Sequence, residues 1–168
     1  MTYCDGCVDL DNPDNAGLRE IMELLLPIVQ KYKHCLSRGD IWAYAALIAA
    51  DMAVVGHRPK GLHFPFTHVG REDCKESDEM GNGGEDVEMP SNHFTHHELV
   101  HWFHKHFDFD AKETVAIMGG HSMSVATPSN VGFGNRDKNG EDTEDGWNFA
   151  ADEYILDHRY YAMYVGPE

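Results

Sequence analysis

The sequence predicts a mostly α-helical protein, and three observations predict it. Apolar residues recur at helical spacing in several windows, no stretch alternates apolar and polar residues over the length of a strand, and Gly, Pro, Asn and Asp cluster between the periodic windows. A length of 168 residues suits one domain spanning residues 1–168, large enough to bury a core.

Residues 8–18, VDLDNPDNAGL, form a turn-rich opening. The next stretch, 18–33, spaces Leu18, Ile21, Met22, Leu25 and Val29 along one helical face. Pro27 sits inside it, lacks an amide proton and crowds the preceding turn, so the helix is expected to kink or end near its middle. Residues 37–55 are Ala-rich and apolar nearly all round, which predicts a buried helix with Ser37 as its cap. Residues 56–73 are loop, broken by Pro59 and Pro65, and 74–88 form an acidic surface loop. Two further helices are predicted over 92–107 and 110–123, the second capped by Asp110. A second acidic loop covers 135–146, and 152–165 reads as a short aromatic-rich helix.

The formal charge is −16 with all 12 histidines neutral. Such a surface repels phosphate backbones and anionic membranes, so neither nucleic acid nor a charged bilayer is an expected partner. It is compatible with cation binding. No run approaches the ~18 apolar residues of a membrane span, and no secretory apolar region follows Met1. The four cysteines are Cys4, Cys7, Cys35 and Cys74. Cys4 and Cys7 have the spacing of half a zinc site, but no second close pair completes it; disulfides and free thiols are equally open readings.

The most conspicuous motif is HHELVHWFHKH, residues 96–106. His97, Glu98 and His101 fit the H-E-x-x-H pattern, in which two histidines one turn apart ligate zinc and the glutamate activates its water. The longer metzincin pattern fails, because His104 stands where glycine is wanted and Phe107 where a third histidine belongs. Glu113 is the open candidate for a third ligand. The competing readings are an amphipathic helix with a wet histidine face, or a non-catalytic zinc or copper site on His97, His101 and His104.

The stretch ETVAIMGGHSMS, 113–124, resembles the proximal-haem signature of the plant-type haem peroxidases, a superfamily that includes ascorbate peroxidase and the secreted plant enzymes. The matching residues are Val115, Ala116, Ile117, Gly119, Gly120 and His121, with Ser122 in the place of threonine. Two glycines before a histidine let backbone pass close to a flat ligand, and imidazole is a normal axial ligand of haem iron. Other blocks follow in the family's order. The Ala-rich helix carries Asp40 in an aspartate place, and FPFTHVGRED resembles a loop ending Gly70, Arg71, Glu72 and Asp73. MPSNHFTHHELVHWF takes the place of a block that puts Met89 and Pro90 near the haem edge. NVGFG with Trp147, LDHRYY, and the opening Cys-Asp turn resemble three more blocks.

The resemblance implies a helical haem-peroxidase-like fold, haem b as cofactor, and hydrogen peroxide with a small-molecule reductant as substrates. Residue by residue it implies His121 as axial ligand, Trp147 packed on the proximal side and Pro90 at the haem edge. It also implies calcium or another cation at Asp5, and a second cation site around Ser122 and Asp157. It places no ligand on the helix of His97, His101 and His104.

The family's distal Arg-x-x-x-His pair handles the peroxide protons. None of Arg19, Arg38, Arg58, Arg71, Arg136 or Arg159 has a histidine four residues on. The proximal aspartate that accepts the axial histidine's second N–H also falls beyond the matched blocks. The expectation is therefore an incomplete domain, with the remaining parts coming from elsewhere in a longer product or from other chains. Turnover by this chain alone is left open. The alternatives are a non-catalytic, calcium- or metal-binding structural protein of peroxidase-like fold and, more remotely, the zinc protease. An extracellular setting is slightly favoured.

Overall fold

A computed structural model describes residues 6–54, 65–75, 77–84, 89–91, 93–123, 125–126, 139, 147–148, 158 and 160–161. The chain divides into two compact units, Met1–Val87 and Glu88–Glu168. Helix dominates the described residues of both. Among the described residues, strand is confined to one short antiparallel pair in the second unit.

In the first unit, a 3-10 turn at Pro13–Asn15 leads into α1, Leu18–Tyr32, and then α2, Arg38–Val54. Asn12 caps the turn, its side chain accepting from Asp14 N. α1 follows Gly17, whose φ of 89° places it in the left-handed region that glycine adopts without strain. The helix does not end at Pro27 but runs on to Tyr32. One missing amide bond is outweighed here by apolar packing on both sides of it, since Met22 and Val29 are both buried.

Ser37 caps α2 as predicted, its hydroxyl accepting from Asp40 N at 3.1 Å. The helix is not buried all round. Its first turn, Arg38 to Ile41, and its last residue, Val54, are buried, whereas Tyr44, Ile48 and Met52 lie exposed one turn apart. Hydropathy cannot supply a covering surface, and in this unit α1 packs against α2 without covering that stripe.

The segments 6–10 and 65–84 are tied to the start of α2 by long-range polar contacts. Val8 N donates to Gly81 O and Gly83 N to Val8 O, both at 3.0 Å. Asp73 accepts Arg38 N and Gly39 N, each at 2.9 Å, so its carboxylate serves as a second cap for α2. The buried Arg38 guanidinium donates to Gly6 O, to Asp78 O and to the Ser77 hydroxyl. A disulfide joins Cys7 to Cys74 across 67 residues, with Cα atoms 6.1 Å apart. Cys7 is therefore not half of a zinc site. Cys35 is free and exposed, and Cys4 lies outside the described residues.

In the second unit, α3 spans His96–Phe107 and α4 spans Ala111–Met118, continued by a 3-10 helix at Gly119–Met123. Both helices begin with a capping box, Thr95 with Glu98 and Asp110 with Glu113. Asp110 is the predicted cap; α3 starts later than the predicted 92 because Thr95 takes the extended cap position. Trp102, Phe103, Phe107 and Phe109 form an aromatic cluster around the buried Phe103. The strand β1, Val125–Ala126, pairs antiparallel with β2, Trp147–Asn148. The predicted helix 152–165 lies outside the described residues except for His158, Tyr160 and Tyr161.

Candidate functional site

The site residues predicted around His121 fall in the second unit. α4 ends at Met118, and the tighter 3-10 helix that follows carries Gly119, Gly120, His121 and Ser122. A helix end leaves carbonyls without intrahelical partners, and i, i+3 spacing satisfies two of them here. His121 Nδ1 lies 2.9 Å from Met118 O, and the Ser122 hydroxyl donates to Gly119 O at 2.9 Å. Ser122 is fully buried, at 0% exposure, while His121 is half-buried.

The two glycines differ in their surroundings. A Cβ on Gly119 would come within 3.3 Å of the Tyr161 hydroxyl, so helix and tyrosine pack closely there. A Cβ on Gly120 would meet nothing within 4 Å, so open space adjoins the residue before His121. The Tyr160 ring, itself buried, stacks on His121 with centroids 5.0 Å apart and an 18° interplanar angle. Tyr161 donates its hydroxyl proton to Val115 O, and partial burial pushes its phenol pKa up. Sequence reasoning assigned neither tyrosine a role, although both lie in the block LDHRYY that carried part of the resemblance.

Trp147 reaches this part of the chain through the backbone. Its pairing with Ala126, five residues past His121, puts the two predicted proximal residues on neighbouring segments. Pro90 is half-buried and follows an exposed Met89. Asp5 and Asp157, expected at cation sites, lie outside the described residues.

His97, His101 and His104 are exposed on α3. Among the described residues, no three His, Cys, Asp or Glu side chains lie close enough together to hold a metal ion. Glu98, the general base of the zinc-protease reading, is engaged elsewhere. Its Oε2 accepts Thr95 N at 2.8 Å and the Thr95 hydroxyl at 2.7 Å, and these bonds hold its carboxyl below the usual range. The glutamate that made the motif look catalytic is the N3 residue of a capping box.

The first unit holds two further polar features among its described residues. Asp40, 1% exposed, accepts Gly70 N at 2.7 Å and Arg71 Nη1 at 2.8 Å. Burial alone would raise its pKa, but the bonds from Gly70, Arg71 and Ser37 outweigh burial and hold it below its ordinary value. A cavity of about 400 Å³ opens between the end of α1 and the start of α2, lined by Val29, Lys33, His34, Cys35 and Glu79 among others.

Comparison with known proteins makes the assignment. A family profile described as Peroxidase matches residues 4–162, and the chain belongs to that family. It is 26% identical over 163 positions to the probable L-ascorbate peroxidase 7, chloroplastic, of Oryza sativa subsp. japonica, covering 92% of this chain and 41% of the relative. It is 27% identical over 123 positions to the mitochondrial cytochrome c peroxidase of Candida glabrata, covering 73% of this chain and 30% of that protein. A catalase-peroxidase of Mycolicibacterium gilvum is 42% identical over 75 residues, 45% of this chain and 9% of its own length. The chain thus spans less than half the length of these relatives. Two of them are named chloroplastic and mitochondrial, which lends no support to the extracellular setting. No helix among the described residues is long and apolar enough to cross a membrane.

Proposed function

We propose that this chain carries the proximal haem-binding part of a peroxidase that uses hydrogen peroxide, with His121 as the axial ligand. One observation carries the reading: His121 is half-buried directly after a glycine with open space beside it, in a chain of the peroxidase family. A half-buried imidazole is a normal donor to haem iron, and open space at Gly120 is what a flat ligand lying against backbone requires. The residues present therefore fit the group.

Haem bound there supplies the redox chemistry by which hydrogen peroxide takes two electrons and two protons and becomes two molecules of water, the electrons coming from a small-molecule reductant. The chain's own contribution is to bind and orient. The Met118 carbonyl and Tyr160 hold the His121 ring. Packing of Gly119 against Tyr161 holds the turn that carries it, and the buried Ser122 closes the turn from below. Trp147 and Pro90 belong to the same proposal as haem neighbours, and Asp5, Ser122 and Asp157 as cation ligands.

Titration of the purified chain with haem tests the reading. A Soret band is expected in the wild type and is expected to collapse in His121→Ala, with Glu98→Gln unaffected. A folded chain that takes up no haem, or an unchanged band in His121→Ala, refutes it.

A further inference from the structure

We propose that the Cys7–Cys74 disulfide is a reducible site that a dithiol opens from one side, with Cys74 as the sulfur attacked and Cys7 as the sulfur that leaves. It lies in the first unit and uses no haem, so it stands apart from the reading of His121.

Two observations give the bond the same polarity. The first is charge. Arg38, 8% exposed, donates from Nη2 to Cys7 Sγ at 3.3 Å and to the Ser77 hydroxyl at 2.6 Å. No such donor reaches Cys74 Sγ among the described residues. The sulfur that departs from a broken disulfide carries a full negative charge, which a charge-assisted hydrogen bond from a guanidinium stabilises. The better-stabilised sulfur leaves faster, so attack is directed to its partner.

The second observation is access. Both cysteines are half-buried, and the exposed Gly84 lies against them. The space a Cβ would take at Gly84 meets Cys7 at its Cβ, 3.2 Å away, but meets Cys74 at its sulfur, 3.8 Å away. A thiol arriving past Gly84 therefore reaches Cys74 Sγ, while Cys7 presents only its methylene.

The exchange balances as two displacements. A thiolate of the dithiol bonds to Cys74 Sγ, the S–S bond breaks, and Cys7 takes the electron pair beside Arg38. The second thiol loses its proton and attacks the reductant's own sulfur in the mixed disulfide, and Cys74 leaves with that pair. The cystine gains two electrons and two protons, and the dithiol becomes a disulfide.

The surrounding bonds keep the opened pair together. Arg38 donates to Gly6 O, next to Cys7, and to Asp78 O, past Cys74. Val8 exchanges backbone bonds with Gly81 and Gly83. None of these runs through sulfur, so the two thiols stay close enough to re-form the bond. Opening removes the cross-link beside Asp73, the carboxylate that caps α2, and so sets how firmly the start of that helix is held.

The full chain carrying Cys4→Ser and Cys35→Ser isolates the pair. Brief exposure of its oxidised form to glutathione, an acid quench and peptide mass spectrometry identify the sulfur attacked. The adduct is expected on Cys74 over Cys7 by at least about tenfold, the discrimination a hydrogen bond to a charged group supplies. An even mixture, or an adduct on Cys7, overturns the proposal. Arg38→Gln should erase the preference. Should that variant fail to fold, Ser77→Ala, which frees the guanidinium from its hydroxyl, should lower it; an unchanged preference in the folded variant overturns the role of Arg38. Reduction by dithiothreitol should be first order in reductant and flat in urea below the unfolding transition. A rate that climbs with such urea shows that the chain must unfold first, and overturns direct attack.

Discussion

Replacing Asp40 by alanine is expected to destabilise the first unit by about 3 kcal/mol. The carboxylate is 1% exposed and accepts two short bonds, from Gly70 N at 2.7 Å and Arg71 Nη1 at 2.8 Å. Breaking a buried ion pair by removing one partner costs about 3–5 kcal/mol, because the other charge is left without compensation. The lower end applies here, since the Arg71 side chain is 31% exposed and can turn to water. Asp40→Asn keeps an acceptor for Gly70 N–H but sets an amide beside the guanidinium, and about half that loss is expected. Urea unfolding followed by circular dichroism, with constant slope, measures both. The lowered pKa adds a pH signature. A carboxylate whose folded pKa is depressed contributes stability that is present above its unfolded value, near ~3.9, and is lost as pH falls through the folded value. The gap between wild type and Asp40→Asn should therefore close below about pH 4. An Asp40→Ala chain within about 0.5 kcal/mol of wild type at neutral pH refutes the account.

Two further expectations concern the same unit. Replacing Cys7 and Cys74 together by serine opens a loop of 67 residues, and chain entropy puts the loss at about 4 kcal/mol; an unfolding midpoint equal to that of the oxidised wild type contradicts it. Pro27→Ala restores an amide donor at an exposed position inside α1 and should stabilise the chain by about 1–3 kcal/mol, read as a higher thermal midpoint; an unchanged or lower one refutes it.

Features that depend on neighbours in the chain were legible in the sequence. Ser37 and Asp110 cap their helices as predicted, because a side-chain oxygen at the cap position has the amide N–H donors two or three residues on built into the same turn. The sequence also carried the order of the blocks, and with it the family. Glu98 shows where a local pattern misleads: H-E-x-x-H and a capping box share a glutamate near the helix start, and only the position of Thr95 separates them. Pro27 did not end its helix, since the rule against proline in a helix does not weigh the packing on either side of it.

What only the tertiary structure decided are the pairings across long separations. Asp40 meets Gly70 and Arg71, Asp73 caps a helix that starts 35 residues earlier, Cys7 finds Cys74, and Tyr160 lies on His121. Each joins groups of ordinary local propensity, and nothing within a few residues of Asp40 announces an arginine 31 positions away. The exposed stripe of α2 is the same lesson in apolar form: hydropathy says which side chains favour burial, and only the packed chain decides which of them are covered.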